Sequence, residues 1–125
     1  GVIINISSDL GLIAPNQNIY KKANIEKDSQ PVKPVTYSVI KSGIIGLTRY
    51  TATYWPNSVR CNCLCPGGVF DNQPDGFLTK LNELIPMGRM AEKNEFRGAI
   101  IFMLSSASSY MNGSILSIDG GRTCW

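Results

Sequence analysis

The sequence predicts an α/β fold, namely the C-terminal portion of a doubly wound parallel sheet in a single domain. Short β-rich apolar runs alternate with helical patterns along the 125 residues. That order implies parallel strands joined by right-handed crossovers. The length suffices for one compact domain. The chain opens on the apolar run "GVIINIS". A strand of this kind needs cover on both faces, so we expect the N-terminal half of the domain to lie upstream of this chain.

The first half of the chain predicts one strand, one long loop and one long helix. Residues 2–6 form a predicted strand that the polar and glycine residues after it end. Residues 15–35 are polar, contain three prolines and show no clear period, so they are predicted to be a long loop. Residues 36–54 carry apolar side chains at helical spacing, and the Pro-Asn pair that follows ends this helix.

The second half predicts two more strands and two more helices. Residues 59–65 form the second strand, which "PGG" ends, and residues 115–119 form the third. A short helix is predicted over 77–85 and a stronger one over 92–105. Ligands of doubly wound sheets bind outside the carboxyl ends of the strands. We therefore expect the serines after the first strand and "PGG" after the second to lie near a site.

Composition excludes several classes of function. Hydrophobic residues make up 43% and charged residues 17%, which is typical of a globular protein. The apolar runs are too short to cross a bilayer. The net charge is +3, and the lysines and arginines are scattered along the chain instead of forming a basic stripe. We therefore expect neither a membrane nor a nucleic acid as partner. The absence of histidine removes the Ser-His-Asp and Cys-His mechanisms.

Three cysteines alternate in the second predicted strand, as Cys61, Cys63 and Cys65. Side chains two apart point to the same face of a strand, and these three contain no tight C-x-x-C pair. Without histidine, a Cys/His zinc site is excluded and no metal is expected. The pattern indicates buried free thiols in a reducing compartment, which favours a cytoplasmic location.

Tyr37 and Lys41 share one face of the long predicted helix. A cation one turn away favours phenolate over phenol, and a hydroxyl from Ser8 could hold a carbonyl oxygen beside the tyrosine. Redox chemistry at such a site would need a cofactor. Each feature also has a structural explanation, because such pairs occur by chance, serines cap helices and Pro-Gly-Gly forms turns. The joint order of the features favours function.

Four segments in this order resemble the short-chain dehydrogenase/reductase family nearly end to end. They are "GVIINISSDLG", "YSVIKSGIIGLTRYTA", "VRCNCLCPGGVF" and "FRGAIIFMLSSASSYMNGSILSIDGG". The resemblance implies that residues 1–125 are the C-terminal part of one NAD(P)-binding, Rossmann-like domain. It implies an alcohol–carbonyl oxidoreductase in which Tyr37 is the acid/base, Lys41 assists it and Ser8 positions the substrate oxygen.

The same resemblance implies where the cofactor binds. Tyr37 and Lys41 would contact the nicotinamide ribose side, and Pro66, Gly67 and the Val69 backbone would border the nicotinamide. The chain does not discriminate NAD from NADP, because the family's Gly-rich phosphate loop is absent from it. Family members form dimers or tetramers, so a homo-dimer or homo-tetramer is implied for the full-length protein. This chain alone is expected to have little or no activity.

A narrower resemblance connects "PGGVFDNQ" and "GGRTCW" to a bacterial branch associated with flagellin modification and unusual-sugar biosynthesis. Two departures from the family stand out. Ser8 and Tyr37 lie 29 positions apart (37 − 8), which indicates an insert at about 16–33. Asp71 stands where many members carry a threonine near the cofactor amide. We expect the insert to cover the substrate pocket and to favour an anionic sugar or sugar-nucleotide, through its lysines Lys21, Lys22, Lys27 and Lys33.

Two alternatives remain open on the sequence. One is a catalytically inactive scaffold or binding protein of the same fold. The other is a sugar-nucleotide epimerase or dehydratase, which shares the Tyr-x-x-x-Lys pattern. The intact set of Ser8, Tyr37 and Lys41 argues against a scaffold, and the "SIDGG" tail favours the small single-domain branch.

Overall fold

A computed structural model describes residues 1–125 and contains one sheet of three parallel strands. The strands are β1 (Val2–Ile6), β2 (Arg60–Pro66) and β3 (Ile115–Ile118), in the order β1-β2-β3. Val2 pairs with Arg60, and Cys63 pairs with Ile115. The predicted α/β fold with parallel pairing is therefore confirmed, and each strand lies within one residue of its predicted bounds.

Three helices connect and flank these strands. They are α1 (Val35–Tyr54), α2 (Asp75–Asn82) and α3 (Arg97–Leu104). The prediction for α1 is confirmed, whereas α2 begins directly after Pro74 and so precedes its predicted start. A third helix was predicted from residue 92, but α3 begins five residues later. Residues 93–96 form turns instead, in which the Glu95 amide donates to the Glu92 carbonyl and the Arg97 amide to the Asn94 carbonyl, both at 3.1 Å.

Strand β2 forms the centre of the core because both of its faces are covered. Cys61, Cys63 and Cys65 are fully buried free thiols, as predicted, and Cys63 Sγ lies 3.9 Å from Cys65 Sγ. Burial, followed by the neighbouring Cys63, raises the pKa of Cys65 to about 11. This thiol therefore stays protonated and unreactive near neutral pH.

Asn62 lies between these cysteines and is also fully buried. Its amide nitrogen donates to the Met111 carbonyl at 2.8 Å, and its side-chain oxygen accepts from the Ser114 amide at 2.9 Å. A buried amide must satisfy both its donor and its acceptor, and here both reach the segment that leads into β3. Asn62 thus holds the second and third strands in register.

The segment 16–33 was predicted to be a loop, and the structure gives it two short 3₁₀ helices, Gln17–Tyr20 and Lys27–Ser29. Ile19 is only 4% exposed and packs in a small apolar cluster with Leu81, Ile85 and Met90. The segment is therefore anchored against the region of α2. None of the helices in the chain has the length and hydropathy of a membrane-spanning segment.

Candidate active site

The carboxyl ends of β1 and β2 open into a cavity of about 360 Å³. Because parallel strands end at one edge of the sheet, residues far apart in sequence meet there. Five of the six residues singled out from the sequence line this cavity, namely Ser8, Tyr37, Pro66, Gly67 and Val69. The sixth, Lys41, is not among the lining residues. The structure thus brings these five residues together at one edge of the sheet.

Helix α1 begins directly after Pro34, and Tyr37 lies in its first turn. The Tyr37 amide donates to the Pro34 carbonyl at 3.1 Å. Lys41 follows one turn later, and its Nζ lies 5.8 Å from the centroid of the Tyr37 ring. The Lys41 ammonium donates to the carbonyl of Ile6, the last residue of β1, at 3.2 Å. Helix α1 therefore places the Tyr37 phenol in the cavity wall. It also holds the Lys41 ammonium against the carboxyl end of β1.

The two serines after β1 have different roles. Ser7 is 2% exposed, and its hydroxyl donates to the Lys41 carbonyl at 2.7 Å, which ties the loop to α1. The Ser8 hydroxyl accepts from the Leu10 amide at 3.2 Å and donates to Asp9 Oδ1 at 2.7 Å. Ser8 therefore has an oxygen at the cavity wall, but its proton is directed to a carboxylate.

Asp9 forms a buried ion pair that the sequence analysis did not find. Its Oδ2 accepts from Arg122 at 2.7 Å, and the two side chains are only 4% and 7% exposed. The paired residues are 113 positions apart, so no local pattern connects them. Both line the cavity next to Ser8. The segment after β3 thus forms part of the cavity wall, although the sequence analysis used it only for a family resemblance.

Lys33 is a second cation near the Tyr37 phenol. Its Nζ lies 3.8 Å from the centroid of the Tyr37 ring, closer than that of Lys41. Lys33 also lines the cavity and is half-buried. The sequence analysis grouped it with the other lysines of the insert, because only the folded structure distinguishes the one that reaches the cavity.

Tyr20, from the same insert, is the other phenol of the cavity. Burial raises the pKa of Tyr20 and outweighs the opposing effect of Arg122, and the nearby Asp9 and Tyr37 raise it further. Its ring centroid lies 5.7 Å from that of Phe77. Tyr20 therefore contributes an aromatic ring whose hydroxyl keeps its proton, so it is poorly suited to accept a proton near neutral pH.

The end of β2 is held close to the end of β3. The Gly67 amide donates to the Ile118 carbonyl at 2.8 Å, and a Cβ atom at Gly67 would lie 2.9 Å from the Asp119 Cα. Glycine is therefore required by this close approach of two backbones. Asp71, which stands where many family members carry a threonine near the cofactor amide, is exposed and lies 3.3 Å from Lys93 in an ion pair.

The residues present fit one end of a nicotinamide nucleotide. The Lys41 ammonium has three N–H donors and uses one on Ile6, so further donors are available to ribose hydroxyls. The cavity extends from Tyr37 to the backbone of Gly67, Gly68 and Val69. These groups could hold the nicotinamide ring and its ribose, whereas no phosphate-binding glycine loop occurs in the chain.

Comparison with known proteins defines the class of protein to which this fold and site correspond. A family profile described as enoyl-(acyl carrier protein) reductase matches residues 23–123. The chain belongs to the short-chain dehydrogenase/reductase family. It is 34% identical to post-translational flagellin modification protein A of Campylobacter coli, over 97% of this chain and 45% of the relative. It is also 34% identical to galactitol 2-dehydrogenase (L-tagatose-forming) of Cereibacter sphaeroides, over 100% and 46% of the two chains.

Solved structures agree with this assignment. A short-chain dehydrogenase from Leptospira borgpetersenii with bound NAD+ is 36% identical, with a TM-score of 0.87, over 98% of this chain and 44% of that one. A gluconate 5-dehydrogenase from Burkholderia cenocepacia in complex with NADP and tartrate is 27% identical, with a TM-score of 0.82. The match covers 100% of this chain and 46% of that one. The chain therefore spans about half the length of the relatives that it matches.

Proposed function

We propose that the polypeptide carrying this chain is an NAD(P)-dependent oxidoreductase that interconverts a hydroxyl and a carbonyl on a sugar-derived, polyhydroxy substrate. The observation that carries the proposal is the arrangement at one cavity of the Tyr37 phenol and the Ser8 hydroxyl, with the Lys41 ammonium one turn from the phenol. Relatives named for galactitol and gluconate support the substrate class. Relatives with bound NAD+ or NADP support either cofactor.

The residues of this chain would act on the substrate oxygen. A nicotinamide cofactor, when bound, supplies or accepts the hydride. Tyr37 passes a proton between its hydroxyl and the substrate oxygen, and Lys41 places a positive charge one helical turn from that phenol. The Ser8 hydroxyl would hold the same oxygen, which requires its O–H bond to turn from Asp9 toward the cavity, because it now donates to that carboxylate.

The role of Ser8 is tested by the Ser8→Ala variant of the full-length polypeptide. We expect turnover of a polyol such as galactitol, with NAD+ or NADP+, to fall about 10²-fold, since one preorganised hydrogen bond to the reacting oxygen is lost. Ser42→Ala is the matched control, because that hydroxyl donates to the Gly11 carbonyl at 3.2 Å, is exposed on α1 and does not line the cavity. Steady-state reduction of the cofactor measures both. Equal turnover by the two variants would exclude Ser8 from the site.

We also propose that the full-length protein is a homo-dimer or homo-tetramer whose subunits meet along α1. This helix leaves apolar side chains largely exposed, including Val39 at 66% and Leu47 at 54%. Gly43 and Gly46 have open space above them, which permits close approach of a second helix. Exposed apolar area of this kind marks interaction surfaces. We expect light scattering to give a dimer or tetramer mass, and Leu47→Lys to lower it. A monomer at all concentrations would contradict the proposal.

A further inference from the structure

The geometry points to Lys33 as the residue that binds a carboxylate on the substrate, so we propose that the substrate is a short polyhydroxy acid. This inference rests on the function proposed above and specifies its substrate class. It is carried by the charges that line the cavity and by the position of the Lys33 ammonium over the Tyr37 ring.

The charged side chains of the cavity leave one positive charge without a partner. Asp9, Arg122 and Lys33 are the charged residues that line it. Asp9 and Arg122 neutralise each other in their buried pair at 2.7 Å. The three ion pairs of the chain do not include Lys33. An anionic ligand that enters the cavity would therefore meet one uncompensated ammonium.

Lys33 is fixed by its backbone as well as by its side chain. Its amide donates to Gln17 Oε1 at 2.8 Å, and Gln17 Nε2 donates to the Lys33 carbonyl at 3.3 Å. This reciprocal contact joins the two ends of the insert. The aromatic face below the ammonium adds a favourable electrostatic contact. An ammonium has three N–H donors and the ring face does not engage all of them, so Lys33 can still donate to a carboxylate.

The distance from the reacting atoms selects among anionic substrates. The Lys33 Nζ lies 3.8 Å from the centroid of the ring whose hydroxyl would take the proton. A group bound to Lys33 must therefore be attached within a few bonds of the reacting carbon, as the carboxylate of an aldonic acid is. The diphosphate of a nucleotide-linked sugar would instead reach the outer groove of about 490 Å³, beyond Tyr20 and Phe77, which is lined by Lys21, Lys22 and Lys80.

The test compares aldonates with the corresponding alditols, such as D-gluconate with D-glucitol, on the full-length protein. Four- to six-carbon pairs of this kind differ mainly in the carboxylate. Binding in the presence of oxidised cofactor is measured by calorimetry, and turnover by cofactor reduction. Lys33→Met keeps the stem over Tyr37 but removes the charge. Lys27→Met is the matched control, since Lys27 belongs to the same insert but lines neither the cavity nor the outer groove.

We expect the wild-type protein to bind an aldonate more tightly than its alditol. Lys33→Met should weaken aldonate binding about 10- to 100-fold, the usual worth of a charge-assisted hydrogen bond, and should change alditol binding far less. Lys27→Met should change neither. The proposal is overturned if no aldonate binds, if nucleotide-linked sugars bind more tightly than aldonates, or if Lys33→Met weakens both members of a pair equally. Alditol turnover that depends on Tyr37 would then leave the proposed oxidoreductase function standing.

Discussion

Replacing Tyr37 with phenylalanine will lower the turnover of the full-length enzyme by about 10²- to 10⁴-fold, the usual contribution of a positioned acid/base. The change removes only the hydroxyl that faces the cavity. The ring remains, so the contact with Lys33 and the packing of the first turn of α1 are retained. We therefore expect unchanged thermal stability, with the main loss in kcat. Steady-state kinetics and a melting curve measure these quantities together.

Tyr20→Phe provides the matched control for this prediction. Tyr20 is the second phenol of the same cavity, and burial raises its pKa, so it holds its proton more firmly. We expect a much smaller loss of turnover from this variant. If Tyr37→Phe keeps the wild-type rate, Tyr37 is not the acid/base, and the interpretation of the chain as part of an inactive scaffold becomes the better one.

Replacing Arg122 with methionine will destabilise the protein by about 3–5 kcal/mol, because it leaves a buried carboxylate without its cation. Asp9 is 3% exposed and would retain only the hydrogen bonds from Ser8 and Leu10 to one of its oxygens. The other oxygen would lose both its hydrogen bond and its cation while the side chain stays largely buried. Denaturant unfolding of the wild-type and variant proteins measures the difference in the free energy of unfolding.

Two comparisons separate burial from charge in this prediction. Arg89→Met breaks another arginine–carboxylate pair of the same 2.7 Å length, Arg89–Glu95, whose side chains are 47% and 39% exposed. Exposed pairs contribute little, so we expect a much smaller loss. The double variant Asp9→Asn/Arg122→Met removes both charges and should recover part of the stability. A loss for Arg122→Met no greater than that for Arg89→Met would show that the buried pair is not stabilising.

Local patterns predicted much of the fold and part of the site. The strands followed from short apolar runs bounded by turn residues, and α1 followed from apolar side chains at helical spacing. Tyr37 and Ser8 followed from their positions at a helix start and a strand end, which the parallel topology brings together. The late start of α3 could not be predicted in the same way, since residues 93–96 form turns that apolar spacing does not distinguish from a first helical turn.

The missing parts of the site are contacts between distant residues. Asp9 and Arg122 each occur in polar segments that read as turns, and nothing in either segment indicates the partner. The side chain of Lys33 over Tyr37 depends on how the insert returns to α1, which Gln17 helps to fix. A lysine four residues before a tyrosine is weak information when three other lysines lie in the same insert. Tertiary packing decides which one is used.

The ion pair between Asp9 and Arg122 also sets an order of events during synthesis. Asp9 is synthesised before Arg122 and stays without its cation until the ribosome has added another 113 residues. During that interval the loop that carries Ser8 has no neutralising neighbour from the segment after β3, and this part of the cavity wall is missing. A nascent chain that stops before Arg122 therefore has the residues of β1 and α1 but an incomplete pocket, so the protein should gain its ligand-binding competence only once Arg122 has emerged.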